Sequence, residues 1–160
     1  MLYILYMLFI SHRGNLNGKN KDIENNPIYI NEIIKKYNVE IDVWKTKNGL
    51  FLGHDFPQYK IDDEFLTINR NKFIIHCKND ESLFYFRNTE LHIFFHTNDE
   101  FTITNKNIIM VNPNSKTIYK DGILMMPEMS NFSLKEISLF QGLISDNILF
   151  YESYYNTVRK

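Results

Sequence analysis

The run Val39-Glu40-Ile41-Asp42-Val43-Trp44-Lys45-Thr46-Lys47-Asn48-Gly49-Leu50-Phe51-Leu52-Gly53-His54-Asp55 decides how this chain is read. Val39, Ile41 and Val43 alternate with Glu40 and Asp42 at the period of two of an extended strand. The two carboxylates therefore point into one space and the aliphatic side chains into the other. Asn48-Gly49 is a two-residue hairpin signal, because the favoured turn needs positive φ at both central positions. The return run Leu50-Phe51-Leu52 then delivers His54 close to where the carboxylates end. Upstream, Ile10-Ser11-His12-Arg13-Gly14 finishes another apolar run with an imidazole and a guanidinium. Two histidines, two carboxylates and an arginine are thus expected together at strand ends.

Working outward, residues 1–10 (MLYILYMLFI) are expected to be a first, fully buried strand leading straight into His12. They lack the basic start and small-residue cleavage site of a secretory leader and are too short to span a bilayer; Met7 offers an alternative start. The polar stretch Asn15 to Asn25 has no periodicity and reads as a site loop. Asn26 then caps a helix with Pro27 at its first position, and Ile30, Ile33, Ile34 and Tyr37 share one face. Further strands are expected at Phe73 to Cys77, Leu91 to His96, Phe101 to Thr104, Ile108 to Val111, Ile123 to Met126 and Leu143 to Asp146. A short helix capped by Asp80 covers Glu81 to Arg87, and a last helix starts at the capping box Ser133-Leu134-Lys135-Glu136. Ile148 to Tyr151 reads as a partly apolar tail.

The 160 residues are 44% hydrophobic and 15% aromatic, enough for one core and one domain over 1–160. With 18 basic against 19 acidic residues the net charge is -1, which gives no field of the kind that draws nucleic acid. No basic amphipathic helix accompanies the aromatic residues, so stable membrane insertion is not expected. The single cysteine, Cys77, excludes an internal disulfide framework and fits a reducing, cytoplasmic setting. Strands alternating with short helices indicate an α/β fold with a mostly parallel sheet.

The pattern His12-Arg13-Gly14, Glu24-Asn25, Glu40-x-Asp42-Val43, Thr46-Lys47-x-Gly49 and His54-Asp55 resembles the N-terminal signature of the glycerophosphodiester phosphodiesterase family, within the phosphatidylinositol-phospholipase-C-like superfamily. The match keeps the family's order and spacing over the first third of the chain. The resemblance implies a compact (β/α) TIM-type barrel. A complete barrel takes about 250 residues, so its helices would be trimmed or missing, and an edge left open would be covered by a second copy in a homodimer. It implies His12 and His54 as general acid and base on a small or polar phosphodiester substrate, Arg13 and Lys78 as phosphate contacts, and Glu40 and Asp42 as ligands of a divalent cation. The third ligand in the family is a Glu in Ile-Glu-x-Lys, and here Ile75-His76-Cys77-Lys78 puts His76 there. Mg2+ or Ca2+ is the implied cation, and the imidazole opens the set to Mn2+ or Zn2+. Two alternatives stand beside hydrolysis: a degenerate barrel that binds a phosphorylated ligand or glycan, and a lyase forming a cyclic phosphate. Gly142-Leu143-Ile144-Ser145-Asp146 resembles the family's last strand. Trp44 reads as core packing or a substrate wall, His96 as a structural residue or one reaching the site from across, His92 as outward or hydrogen-bonded, and Glu128 as a loop residue or a late ligand.

Overall fold

The computed structural model describes residues 7–97 and 99–158. Its elements run β1 (Leu8–His12), α1 (Pro27–Ile33), β2 (Asn38–Thr46), β3 (Gly49–Leu52), β4 (Tyr59–Ile61), α2 (Asp63–Ile68), β5 (Phe73–Cys77), α3 (Asp80–Phe86), β6 (Ile93–Phe94), β7 (Phe101–Ile103), β8 (Ile109–Val111), β9 (Gly122–Met125), α4 (Leu134–Ile137), β10 (Gly142–Ser145) and α5 (Ile148–Val158), with a single 3-10 turn at Pro127–Met129 before α4. Of the expected first strand, residues 1–6 lie outside the described residues, and β1 carries on through His12.

Seven strands lie parallel in the order β6-β5-β2-β1-β10-β9-β8. β7 is antiparallel to β8, and the β2–β3–β4 meander is antiparallel. β1 stops with His12 opposite Glu40, and from Val43 onward β3 takes the same edge of β2. That handover places the hairpin return, and His54 after it, beside the carboxylates.

The closed, trimmed (β/α) barrel expected from the sequence is not what forms. Among the described residues the chain builds a mixed ten-stranded sheet curved into a half-barrel, with five small helices that do not alternate regularly with the strands. Among the described residues no strand ladder joins β6 to β7 or β8; the two edges meet through a hydrogen bond from Asn105 N to Ile93 O, 3.1 Å. The reason is material: β6 is two residues long, and β7 turns back antiparallel where a barrel needs another parallel strand. Closure depends on strand number, tilt and stagger together, none of which a period of two reports.

The inner face of the curve shows why the site lies where it does. Ile10, Ile74, Met110, Ile123 and Ile144 form a buried apolar floor. Two residues further along the same strands, on the same face, come His12, His76, Asn112, Met125 and Asp146. The outer face packs against helices: α1 and α3 cover Val39, Ile41, Val43 and Ile75, while α4 and α5 cover Val111, Leu124 and Leu143.

Local signals worked where they were short-range. Asn26 caps α1 by accepting from Ile28 N, and Ile30, Ile33, Ile34 and Tyr37 are all buried. α3 is capped by Asn79 rather than Asp80, because the Asn79 side chain accepts from Ser82 N in a capping box. The expected tail is in fact α5, which buries Ile148, Tyr151 and Tyr155 and sets the Tyr155 ring edge-on to Phe9, 5.9 Å away. Its inward stripe is mostly tyrosine, whose polar tip hides an apolar body from a hydropathy reading.

Candidate functional site

The end of β1 and the end of β10 are neighbours in the sheet, and their side chains meet. His12 Nδ1 is 2.7 Å from Asp146 Oδ1, which also accepts from Asn15 Nδ2 at 2.9 Å. Burial acts to raise the Asp146 carboxyl, but the His12 hydrogen bond and charge outweigh it and hold the group below its usual range. An ionised carboxylate only accepts, so Nδ1 is the donor to Asp146, and in the neutral imidazole this leaves Nε2, 3.8 Å from Glu40 Oε2, as the nitrogen with the lone pair. Glu128 fastens this corner: its carboxylate accepts from Asp146 N and Ser145 Oγ, each at 2.8 Å. It braces the strand end and is not within the candidate ligand group.

Arg13 follows in a left-handed conformation, φ 56°, at about 1–2 kcal/mol for a non-glycine residue. Two backbone bonds hold it there, Arg13 N to Glu40 O at 2.8 Å and Asn25 N to Arg13 O at 2.9 Å. The reversal drives the guanidinium under the carboxylates. Nε sits 2.7 Å from Asp42 Oδ2, an ion pair rather than an aligned hydrogen bond, and Nη1 reaches Glu24 Oε2 at 3.4 Å. Burial acts to lower the Arg13 pKa, but the charges of Asp42, Glu40 and Glu24 outweigh it and leave it raised. Asn25 clamps the same carboxylate from the other side: its Nδ2 donates to Asp42 Oδ2 at 2.9 Å and its Oδ1 accepts from Asp42 N at 3.0 Å.

Glu40, Asp42 and His76 converge as the alternation and the parallel register of β2 and β5 require, with Asp42 opposite His76. One ligand atom from each lies within 4.8 Å of the others. His76 Nδ1 is 3.0 Å from Asp42 Oδ1 and 4.0 Å from Glu40 Oε1. Burial, with the Asp42 charge alongside, pushes the Glu40 carboxyl up to about 7. For Asp42, burial acts upward but hydrogen bonds from His54 and His76 and the charge of Arg13 prevail, keeping it well below the usual carboxylate range. Burial lowers His76 to about 4, so its imidazole is neutral at physiological pH. Glu40 Oε2 is buried without a hydrogen-bond partner. A buried carboxylate oxygen with no donor is costly, and one that faces two further oxygen and nitrogen ligands fits a divalent cation.

His54 comes in from the hairpin. Gly53, φ 151°, leaves no room for a side chain, because a Cβ would collide with the Phe56 carbonyl oxygen. Trp44 Nε1 donates to Gly53 O at 2.6 Å, so Trp44 steadies this turn and is absent from the cavity wall. His54 Nδ1 then lies 3.5 Å from Asp42 Oδ2 and 3.4 Å from Lys78 Nζ, and its Nε2 lies 3.5 Å from Arg13 Nη2. Lys78 Nζ is also 3.4 Å from Asp42 Oδ1. All seven residues singled out in the sequence, His12, Arg13, Glu40, Asp42, His54, His76 and Lys78, are therefore gathered around one carboxylate pair.

These groups, with Asp42 beneath them, line one side of a cavity of about 480 Å3. His96 lines it too, stacked on His76 at 4.8 Å, with Phe94 on the other face of His76 at the same distance. His92 turns away to Thr104 Oγ1 at 2.9 Å. The rest of the lining combines the apolar Met125, Met126, Met129, Pro113 and Ile144 with the polar Lys19, Thr97 and Asn112. Met126 is left-handed (φ 47°, ψ 57°) and held by its N–H on Ile144 O at 2.7 Å. Sequence reading missed Asp146, Asn15 and the lining methionines as site features. Asp146 was signalled only by its place at the end of the last strand, and Asn15 by nothing beyond its loop.

No family model matches the sequence. The chain is similar to an uncharacterized protein of Rickettsia prowazekii (strain Madrid E), 25% identical over an alignment 177 positions long that covers 91% of this chain and 85% of that protein. Among the described residues no helix is long and apolar enough to cross a membrane.

Proposed function

We propose that the chain is a cation-dependent phosphodiesterase of the glycerophosphodiester phosphodiesterase type, cleaving a phosphodiester by paired histidine acid-base chemistry. One observation carries the reading: two imidazoles approach the Glu40 and Asp42 carboxylates from separate elements, His12 at 3.8 Å and His54 at 3.5 Å, inside a cavity that also holds Arg13 and Lys78.

His12 is the better base, because Asp146 fixes its tautomer and leaves Nε2 free to take a proton from the attacking hydroxyl or water. His54, beside Lys78 and Arg13, is placed to protonate the leaving alkoxide. The two can exchange roles in a second step, since a group that has taken a proton is the acid for the reverse transfer. Lys78 and Arg13 hold phosphate oxygens, Lys78 as a compact point charge and Arg13 through whichever of its donors are not engaged by Asp42 and Glu24. A divalent cation on Glu40, Asp42 and His76 would supply charge neutralisation of the phosphate.

The test is hydrolysis of bis-p-nitrophenyl phosphate and glycerophosphocholine by metal-stripped protein with Mg2+, Ca2+, Mn2+ or Zn2+ restored, beside His12→Ala and His54→Ala. Cation-dependent turnover lost in both folded variants supports the reading. Turnover that persists in both overturns it. Phosphorus NMR of the product separates a hydrolase from a cyclic-phosphate-forming lyase.

A further inference from the structure

A second pocket, of about 420 Å3, opens at the other pole of the half-barrel, where the strands begin. Leu8 starts β1, Asn38 starts β2 and Phe73 starts β5, and all three line it. Ile74, also in the lining, belongs to the same buried apolar floor as Ile144, which lines the histidine cavity. One layer of side chains therefore separates the two spaces.

Three cations reach this pocket from both sides of the seam between β6 and β7. Arg70 and Lys72 sit on the turn between α2 and β5, fixed by Lys72 N to Asn69 O at 2.8 Å and Val39 N to Lys72 O at 2.8 Å. Lys106 sits on the β7–β8 turn, where Thr104 N donates to Ile108 O at 2.9 Å and Asn107 is left-handed, φ 59°. Asn105 anchors that turn across the seam: its Oδ1 accepts from Ile93 N at 2.9 Å and its Nδ2 donates to Leu91 O at 2.8 Å. Burial lowers the His92 pKa and the charge of Lys106 lowers it further, so that charge is felt inside the pocket.

Among the described residues no salt bridge or hydrogen bond engages the side chain of Arg70, Lys72 or Lys106. Glu90, the one carboxylate in the lining, pairs with none of them. Like charges held on fixed turns around one concavity repel each other, and no pairing within the fold offsets that. The same arrangement is complementary to a dianion, because hydrogen bonds between charged partners are the strong ones. The pocket is larger than a phosphate group and lies in the size range of small-molecule sites. Asn38 and Asn71 add amide groups, and an ionised Glu90 carboxylate can only accept, which suits a ligand with hydroxyls.

We infer that this pole binds a small phosphomonoester carrying hydroxyl groups, its phosphate on Arg70, Lys72 and Lys106 and its hydroxyls toward Glu90 and the two asparagines. Bound there, the ligand bridges the seam, where no strand ladder joins the described strands, and stabilises the half-barrel. The assignment is independent of the phosphodiesterase reading, since it needs neither cation nor turnover.

The experiment is calorimetric titration of the full, metal-stripped chain with glycerol 3-phosphate and with inorganic phosphate. Because Arg13 and Lys78 also attract anions, it is run on Lys78→Gln, with and without Lys72→Gln and Lys106→Gln. The expected result is a single equivalent of glycerol 3-phosphate, bound more tightly than inorganic phosphate and raising the unfolding midpoint. Adding the two further glutamines should weaken it by about tenfold or more, while Lys72→Arg with Lys106→Arg should keep it. Equal affinity with and without those glutamines, equal loss in the arginine pair, or no binding to folded Lys78→Gln overturns the site. Inorganic phosphate bound as tightly as glycerol 3-phosphate overturns the hydroxyl-bearing ligand.

Discussion

His12 Nδ1 and Asp146 Oδ1, 134 residues apart in the chain, lie 2.7 Å from each other at the adjoining ends of β1 and β10. The contact gives His12 a defined tautomer and couples the two ends of the chain. Asp146→Asn keeps the shape but lets the imidazole adopt the wrong tautomer. Turnover should fall by roughly a hundredfold to ten-thousandfold, with circular dichroism and the unfolding midpoint little changed. Steady-state kinetics on bis-p-nitrophenyl phosphate checks this, and turnover within about twofold of native would remove Asp146 from the mechanism.

Cation affinity should depend on pH through Glu40. Burial raises its carboxyl from an ordinary 4.5 to about 7, and a ligand must be deprotonated to bind. Affinity measured by calorimetry should therefore climb as pH rises toward about 7 and level off above it, and Glu40→Gln should abolish the climb. For the cation-free protein, the proton that folded Glu40 keeps contributes stability at low pH that is lost as pH rises through about 7. His76 works in the opposite sense: lowered from 6.5 to about 4, it contributes stability above 6.5 that is lost as pH falls toward 4. The two partly cancel in stability, which makes cation affinity the cleaner readout.

His76→Glu should move the cation preference toward Mg2+ and Ca2+. An imidazole nitrogen favours Mn2+ or Zn2+ over the hard cations, and three carboxylates reverse that. Changes around a metal site commonly shift affinity about 10–100-fold, so the Mg2+ to Mn2+ affinity ratio should rise by about tenfold or more. Nitrogen coupling in the pulsed EPR spectrum of the Mn2+-loaded native protein should disappear in the variant. An unchanged ratio with unchanged coupling would show that His76 is not a ligand.

Gly53→Ala should damage the site and the fold together. A methyl group there collides with the Phe56 carbonyl oxygen at a φ of 151° that L side chains avoid. The expected cost is about 1–3 kcal/mol in urea unfolding. Turnover should fall further than stability alone explains, because the turn that aims His54 must shift.

The seven candidate residues were singled out through short motifs, with their roles and the choice of Arg13, His76 and Lys78 implied by the family resemblance; what local geometry settles is narrower. Alternation along β2 puts Glu40 and Asp42 on one face whatever the rest of the chain does. The hairpin forms where Asn48-Gly49 signals it, but one residue earlier than read: Thr46 pairs with Gly49, Lys47 and Asn48 make the loop, and of the Asn48-Gly49 pair Gly49 alone, φ 121°, is left-handed. The Asn26-Pro27 helix start is likewise settled by neighbours in sequence. Where the signal was weaker the boundaries moved: the strand expected over Leu91 to His96 shrinks to Ile93–Phe94, and the tyrosine-rich end becomes α5.

By itself, then, the sequence determined which faces are apolar, where the chain reverses, and which imidazoles and carboxylates stand at strand ends, since these follow from hydrogen bonding and sterics between residues a few positions apart. Only the tertiary structure decided that the sheet stays a half-barrel, that Asp146 orients His12, that Asn25 and Arg13 lock Asp42, and that methionines line part of the cavity. These depend on the summed twist of the strands and on contacts between distant segments, whose register no local pattern carries.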